Sequence, residues 1–225
     1  MRDEAIDLCG QVDFTRTDAM PLLERDAQFR FACAGCGDCC RQRRDLVLSG
    51  YDLYRIARRL SLPPRIVAAA FCKSYLAPES CLPALRLTPD PKTGNCRFFE
   101  GSACTIHAAR PLACALYPLG QSIDTVTAQT EYYVQTPLCG ARAGEARTLQ
   151  DYLQDRAGVD ARWAIVCTQL SHRLQAAGGT DNPRFSTAVR RMERALYYDY
   201  ELGDDFYPQF CQNIEILMPL LDRML

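Results

Sequence analysis

The sequence predicts an α+β protein that is mainly α. A small cysteine-rich module with a short antiparallel sheet is expected over residues 1–143, with a helical lobe over residues 144–225 packed on it. Three observations carry that expectation. Cys33, Cys36, Cys39, Cys40, Cys96, Cys104, Cys114 and Cys139 crowd into two blocks. Short β-rich runs bounded by Pro and Gly lie between and after them. Beyond Gly144 cysteine thins out and apolar residues recur at helical spacing. No Pro/Gly/Ser-rich run separates the halves, so they are expected to form one structural unit.

The elements follow in order. Ser49 is placed to cap a helix from Gly50 to Leu60, with Leu53, Ile56, Ala57 and Leu60 on one face. Pro63 and Pro64 stop it and open a second helix, expected to run through Ala77. LPALRLTP and NCRFFEG read as two short strands joined by the turn DPKTGN. A short helix is expected from about Ile106 to Leu116, and the alternating TVTAQTEYYVQT reads as one or two strands. Helices then follow over 147–156, 160–177, 184–200 and 206–223, with breaks at Gly158, at Gly178-Gly179 with Pro183, and at Gly203.

Composition narrows the function. Lys+Arg number 26 against Asp+Glu 27, for a net charge of -1, which points away from nucleic acid as the partner. No stretch approaches the ~20 apolar residues of a membrane helix, and the start, MRDEAIDLCGQVDF, has the character of neither a secretory signal nor a transit peptide. The protein is therefore expected to be cytoplasmic, with no membrane partner. There, the 13 cysteines, an odd number, argue for metal or redox chemistry over structural disulfides.

The spacing supports that chemistry. Two thiolates separated by two residues can share one ion across a tight turn. Cys33-Ala-Gly-Cys36-Gly37 has this form, with Gly37 free to take the positive φ such a turn needs, and its backbone N–H groups can stabilise the sulfurs. Cys36-Gly-Asp-Cys39 repeats the spacing. Cys-x2-Cys-x2-Cys also opens a ferredoxin-type iron–sulfur run, although Cys40 follows at once and no Cys-Pro comes three residues later. Side chains of adjacent cysteines usually diverge, so Cys39 and Cys40 are not expected to share one ion; Cys40 belongs to a second site or is a bystander. Cys96, Cys104, Cys114 and Cys139 supply further thiols, enough for two four-cysteine sites or one cluster with spares. All-thiolate coordination suits iron–sulfur clusters and zinc alike.

Together the two blocks resemble the cysteine-cluster family named for its CxxCxxCC signature and described as a zinc- or iron-chelating domain. The signature reads Cys33, Cys36, Gly37, Cys39, Cys40 and Arg41. The downstream block is similar to the family's pattern at Cys96, Phe98, Gly101, Cys104, Ile106, His107, Arg110, Pro111, Cys114, Tyr117 and Pro118, and LSGYDLYRIARRL resembles the segment between. The resemblance covers roughly residues 29–140. It implies a metal or an iron–sulfur cluster. Through the similar cysteine-rich part of bacterial flagellin lysine methylases, it also implies a link to protein modification, although this chain is short for that whole enzyme.

The remaining candidates have plainer readings beside the functional ones. His107 stands three residues after Cys104, as a ligand or as a packing neighbour to one. Arg110 either aims at the cluster or pairs with a carboxylate. Arg41, Arg43, Arg44, Arg55, Arg58 and Arg59 make the middle of the chain basic, enough to offset an anionic thiolate centre, to dock an acidic protein partner, or merely to be solvated. Cys9, Cys72, Cys81, Cys167 and Cys211 read as small apolar residues. Trp163, His172 and the aromatic run YYDYELGDDFYP read as packing or surface. No GxGxxG, P-loop, nucleophile elbow or HExxH occurs, so no catalytic residue and no reaction are assigned. The functional expectation is an iron–sulfur protein, 4Fe–4S by preference, in electron transfer or a redox step. Its alternative is a zinc- or iron-ion module that holds helices and strands together without redox chemistry.

Overall fold

The computed structural model describes residues 6–7, 22–24, 26–33, 35–41, 46–78, 80–123, 130–134, 142–153 and 156–225. Among these, helices dominate and the strands form small sheets, as an α+β, mainly α chain should. The β component is divided. Strands β1 (Ile6–Asp7), β2 (Gln28–Ala32) and β10 (Arg142–Thr148) make one sheet, with β1 parallel and β10 antiparallel to β2. Strands β3 (Val47–Leu48), β5 (Pro83–Leu87) and β4 (Cys72–Leu76) make a second, antiparallel sheet with β5 central. Two hairpins complete the set: β6 (Phe99–Glu100) with β7 (Ala103–Cys104), and β8 (Leu119–Ile123) with β9 (Thr130–Val134).

Helix α1 spans Gly50–Leu60, as its sequence predicts. Ser49 caps it: its hydroxyl accepts the Asp52 amide (3.2 Å) while the Asp52 carboxylate accepts the Ser49 amide (3.1 Å). This reciprocal pair satisfies two end-of-helix donors. The apolar stripe buries Leu53, Ile56 and Ala57. Helix α2 (Pro64–Phe71) is shorter than expected. From Cys72 the chain extends as β4 and pairs with β5 from Cys72 opposite Leu87 to Leu76 opposite Pro83. The open edge of β5 recruits a segment whose local preference is weak, a tertiary override that periodicity does not reveal.

The turn DPKTGN forms, closed by Asp90: its carboxylate accepts the Lys92 and Thr93 amides, and its own amide donates to the Asn95 carbonyl. Only Phe99–Glu100 of the second expected strand pairs in a hairpin, and its partner is β7. The helix expected over 106–116 is broken. A 3-10 turn, His107–Ala109, precedes α3 (Leu112–Leu116), with Arg110 extended between them (φ -53, ψ 141). Pro111 disfavours the helical region for the residue before it, so the break is local in origin. Strand β9 lies within the expected β-rich run; β8 and β10 were not foreseen.

The C-terminal helices are α4 (Leu149–Leu153), α5 (Arg156–Ala176), α6 (Phe185–Glu193) and α7 (Phe206–Met224). Gly158 lies inside α5 instead of breaking it. A helical glycine costs about 1 kcal/mol, which burial of Ala164, Leu170 and Leu174 farther along offsets. Beyond α6 the chain widens into a π-helical turn, Arg194–Tyr198.

Among the described residues, two apolar cores result. The larger joins α1, α2 and β5 to the C-terminal helices through Leu53, Ile56, Leu85, Leu170, Met192 and Leu221. Around its aromatic side, Trp163 stacks on Phe210 and Tyr200 on Phe206, which absorbs the aromatic run into packing. The smaller core gathers Phe29, Phe31, Tyr117, Leu119, Val134 and Leu149. Cys36 and Cys39 pack against the smaller core; Cys96, Cys104 and Cys114 pack against the larger. The two cysteine blocks therefore approach each other where the cores adjoin. No described helix is long and apolar enough to cross a membrane.

Candidate metal centre

The first block is held by tight turns. Gly37 takes φ +76, as its place after Cys36 predicts, and the Cys40 amide donates back to the Gly37 carbonyl (2.9 Å). The two blocks are then tied directly, because the Cys96 amide donates to the Cys40 carbonyl (2.8 Å). The Phe99 ring lies over Gly37 so closely that a Cβ there would fall 2.3 Å from it. Arg41 stands over the same ring, its guanidinium 5.3 Å from the Phe99 ring centre. Any side chain at position 37 would have to displace that ring.

The second block hangs from α1. Arg55 donates to the carbonyls of Ala108 (2.6 Å) and Arg110 (3.2 Å), fixing the turn between Cys104 and Cys114. Asp52, already the capping carboxylate of α1, also accepts the Leu112 amide (2.9 Å) and so orients the first turn of α3. Burial pushes the Asp52 carboxyl above the ordinary carboxylate value, against its hydrogen bonds and Arg55. In the sequence, Arg55 reads as one of a basic group and both residues fall in the LSGYDLYRIARRL segment of the resemblance, but neither is given these contacts there. The Ser49-x-x-Asp52 capping signature was there to be read; the contacts to 108–112 cross more than 50 residues and were not.

These constraints gather Cys33, Cys39, Cys40, Cys96, Cys104 and Cys114 around one cavity of about 210 Å³, walled by apolar groups such as Phe31, Phe98, Ile106 and Tyr117. Cys33 is exposed and the others half-buried. Cys36 sits beside Cys39 on the smaller core and is not among the residues lining the cavity. Cys139 and Cys9 lie outside the described residues, as do Arg43 and Arg44. Cys39 and Cys40, expected to diverge, instead bring their Sγ atoms to 3.9 Å, because the 3-10 turn Asp38–Cys40 curls both toward the cavity. Every described cysteine is a free thiol.

The thiols sense one another. The Cys40 thiol is pushed far up by its hydrogen bond with Cys39, by burial, and by the charges of Cys39, Cys96 and Cys104. Burial raises Cys96 and Cys104 as well, opposed by amide donors two residues on, Phe98 to Cys96 and Ile106 to Cys104. The repeated Cys-x-Phe and Cys-x-Ile of the second block thus aim backbone N–H groups at sulfur. Arg110 further favours the Cys104 thiolate. Its Nε, buried at the cavity wall, has no hydrogen-bond partner, while its terminal nitrogen meets the ring of His107 (2.9 Å).

A metal–thiolate group fits this donor set. Without a cation, mutually repelling buried thiols remain protonated; a metal removes those protons and lets the aimed amides and the orphan Arg110 Nε–H bond to sulfur. Among the described residues, no three His, Cys, Asp or Glu side chains converge closely enough to hold a single ion. The sulfurs stand around a cavity instead of at a point.

No curated protein and no solved structure matches the chain. A family model does match, over residues 32–140, and it spans both cysteine blocks together with α1 between them. The matching model is that of the CxxCxxCC family, described as "Putative zinc- or iron-chelating domain", and residues 32–140 are similar to it.

Proposed function

We propose that the chain carries an iron–sulfur cluster, 4Fe–4S by preference, in a cytoplasmic redox role. The observation that carries this reading is the thiol-lined cavity, in which both blocks contribute sulfurs around a volume and not around a point. The residues that would hold the group are Cys39, Cys40, Cys96 and Cys104, whose charges act on one another, with Cys33 and Cys114 on the same wall. When bound, such a group supplies one-electron chemistry, its potential set by charge, burial and hydrogen bonds to sulfur. The chain contributes the last of these through the amides of Phe98 and Ile106 and the Arg110 Nε–H, which all favour the more negative state.

A second reading rests on one distance. Sulfurs at 3.9 Å match the edge of a tetrahedron around a zinc with bonds of about 2.3 Å. On this reading Cys39 and Cys40 share an ion that ties the two blocks together without redox chemistry.

The test is anaerobic purification of the full chain, then a visible spectrum with iron, zinc and acid-labile sulfide assays on the same sample. Brown protein with iron and sulfide in similar amounts is expected. Cys96→Ser and Cys104→Ser should lose colour while Cys81→Ser and Cys211→Ser keep it. A colourless sample with stoichiometric zinc and no sulfide overturns the cluster and leaves the second reading.

A further inference from the structure

The thiol-lined cavity is not the only space among the described residues. A cleft of about 770 Å³ opens beside it, bounded by β3 and β5, by α3 and β8, and by α5. Helix α3 divides the two spaces. Cys114 and Ala115 line the thiol cavity, Leu112 and Ala113 line the cleft, and Tyr117 lines both. We propose that the cleft binds an uncharged, partly aromatic organic molecule, and that this molecule lies one helix away from the adjacent metal centre. The second half rests on the function proposed above; the first does not.

Size and lining support the inference. Small-molecule sites typically enclose about 300–1,000 Å³, apolar for the most part with a few polar groups that fix orientation. Here the apolar wall includes Leu48, Pro83, Leu112, Leu116 and Trp163, and the polar groups include Gln121, Thr168, Ser171 and His172. Among the described lining residues there is no Lys or Arg, and the only carboxylate is Asp52, already engaged by Ser49 and the Leu112 amide. Cys167 and Tyr197 also line the cleft, and burial pushes both above their ordinary values, so they are neutral at pH 7. An ionic ligand would surrender its hydration here without a free counter-charge, whereas a neutral one loses little. The Tyr197 ring enters the wall from the π-helical turn, a wide turn often found at functional sites. The thiol cavity offers no comparable space for an organic molecule beside a metal, and the arginine-flanked hollow at Arg55, Arg58 and Arg59 has the opposite electrostatic character.

Trp163 is the only tryptophan in the chain, and it lines this cleft, so energy transfer from it reports occupancy directly. The probes are dansylamide, neutral at pH 7, and anilinonaphthalene sulfonate, anionic. Saturable transfer from Trp163 to dansylamide is expected, with the anionic probe at least about tenfold weaker, a difference of about 1.4 kcal/mol. Thr168→Phe from α5 and Ala84→Phe from β5 fill the cleft from different walls, and each should weaken dansylamide at least tenfold. Either variant suffices if the other fails to fold. No saturable transfer, equal binding by a folded filled variant, or preference for the anionic probe overturns the binding site. In metal-loaded protein, dansylamide should shift the visible spectrum of the centre; an unchanged spectrum overturns the link to it. Dansylamide binding by a protein with neither iron nor zinc would instead sink the metal reading and leave the cleft standing.

Discussion

Replacing Gly37 by alanine tests how the two cysteine blocks are held together. The substitution has two separable costs. Gly37 takes φ +76, where alanine is disfavoured by about 1–2 kcal/mol. Its new Cβ would also stand 2.3 Å from Cε2 and Cζ of Phe99, so the ring must move, an overpacking penalty of about 1–3 kcal/mol. Gly35 provides the control. It too takes a positive φ, +65, but a Cβ there meets nothing within 4 Å. Gly35→Ala should therefore show only the first cost, and Gly37→Ala should exceed it by about 1–3 kcal/mol, or roughly 5- to 150-fold in an equilibrium constant. The assay is metal retention against a graded chelator, with denaturant midpoints measured on the same samples. Displacing Phe99 moves β6, and with it β7 and Cys104, so metal retention should fall more in Gly37→Ala than in Gly35→Ala. Phe99→Leu placed in the Gly37→Ala background should recover part of the loss. Equal behaviour of the two glycine variants would refute the claim that contact between Phe99 and Gly37 joins the blocks.

Three further outcomes follow from the same geometry. Arg55→Ala removes two hydrogen bonds to the Cys104–Cys114 turn and should cost about 1–3 kcal/mol in denaturant unfolding, with faster metal loss to chelator; Arg55→Lys should recover only part. Asp52→Asn puts an amide donor among the Ser49 amide, the Ser49 hydroxyl and the Leu112 amide, and should lower stability by about 1–3 kcal/mol, read as a shifted midpoint. Burial raises the Cys167 thiol from 9.0 to about 12, so the folded chain holds that proton where the unfolded chain releases it. Stability from this group is complete below about pH 9 and is lost as pH rises toward 12. Unfolding free energies measured between pH 9 and 11 should fall with pH, and Cys167→Ala should make the slope shallower by up to about 1.4 kcal/mol per pH unit. An identical slope in the variant would place the thiol in water.

What the sequence determined by itself is local chemistry. Cysteine spacing announced the two blocks, because ligands on one turn must be close in sequence. Gly37 was legible because a turn after Cys36 needs positive φ, and α1 because Ser49 and its apolar stripe act within a few residues. Tertiary structure decided whatever depends on partners distant in sequence. Cys72–Leu76 is a strand because β5 lies beside it, and β10 exists because β2 offers an edge. Cys39 and Cys40 face one cavity because the second block closes over them through the Cys96 amide and the Phe99 ring. Arg55 and Asp52 serve the site because α1 packs against residues 108–112, contacts of more than 50 residues' separation that no periodicity encodes. The cleft beside α3 belongs to the same class: its walls come from β3, β5, β8 and α5, and only their packing encloses a volume.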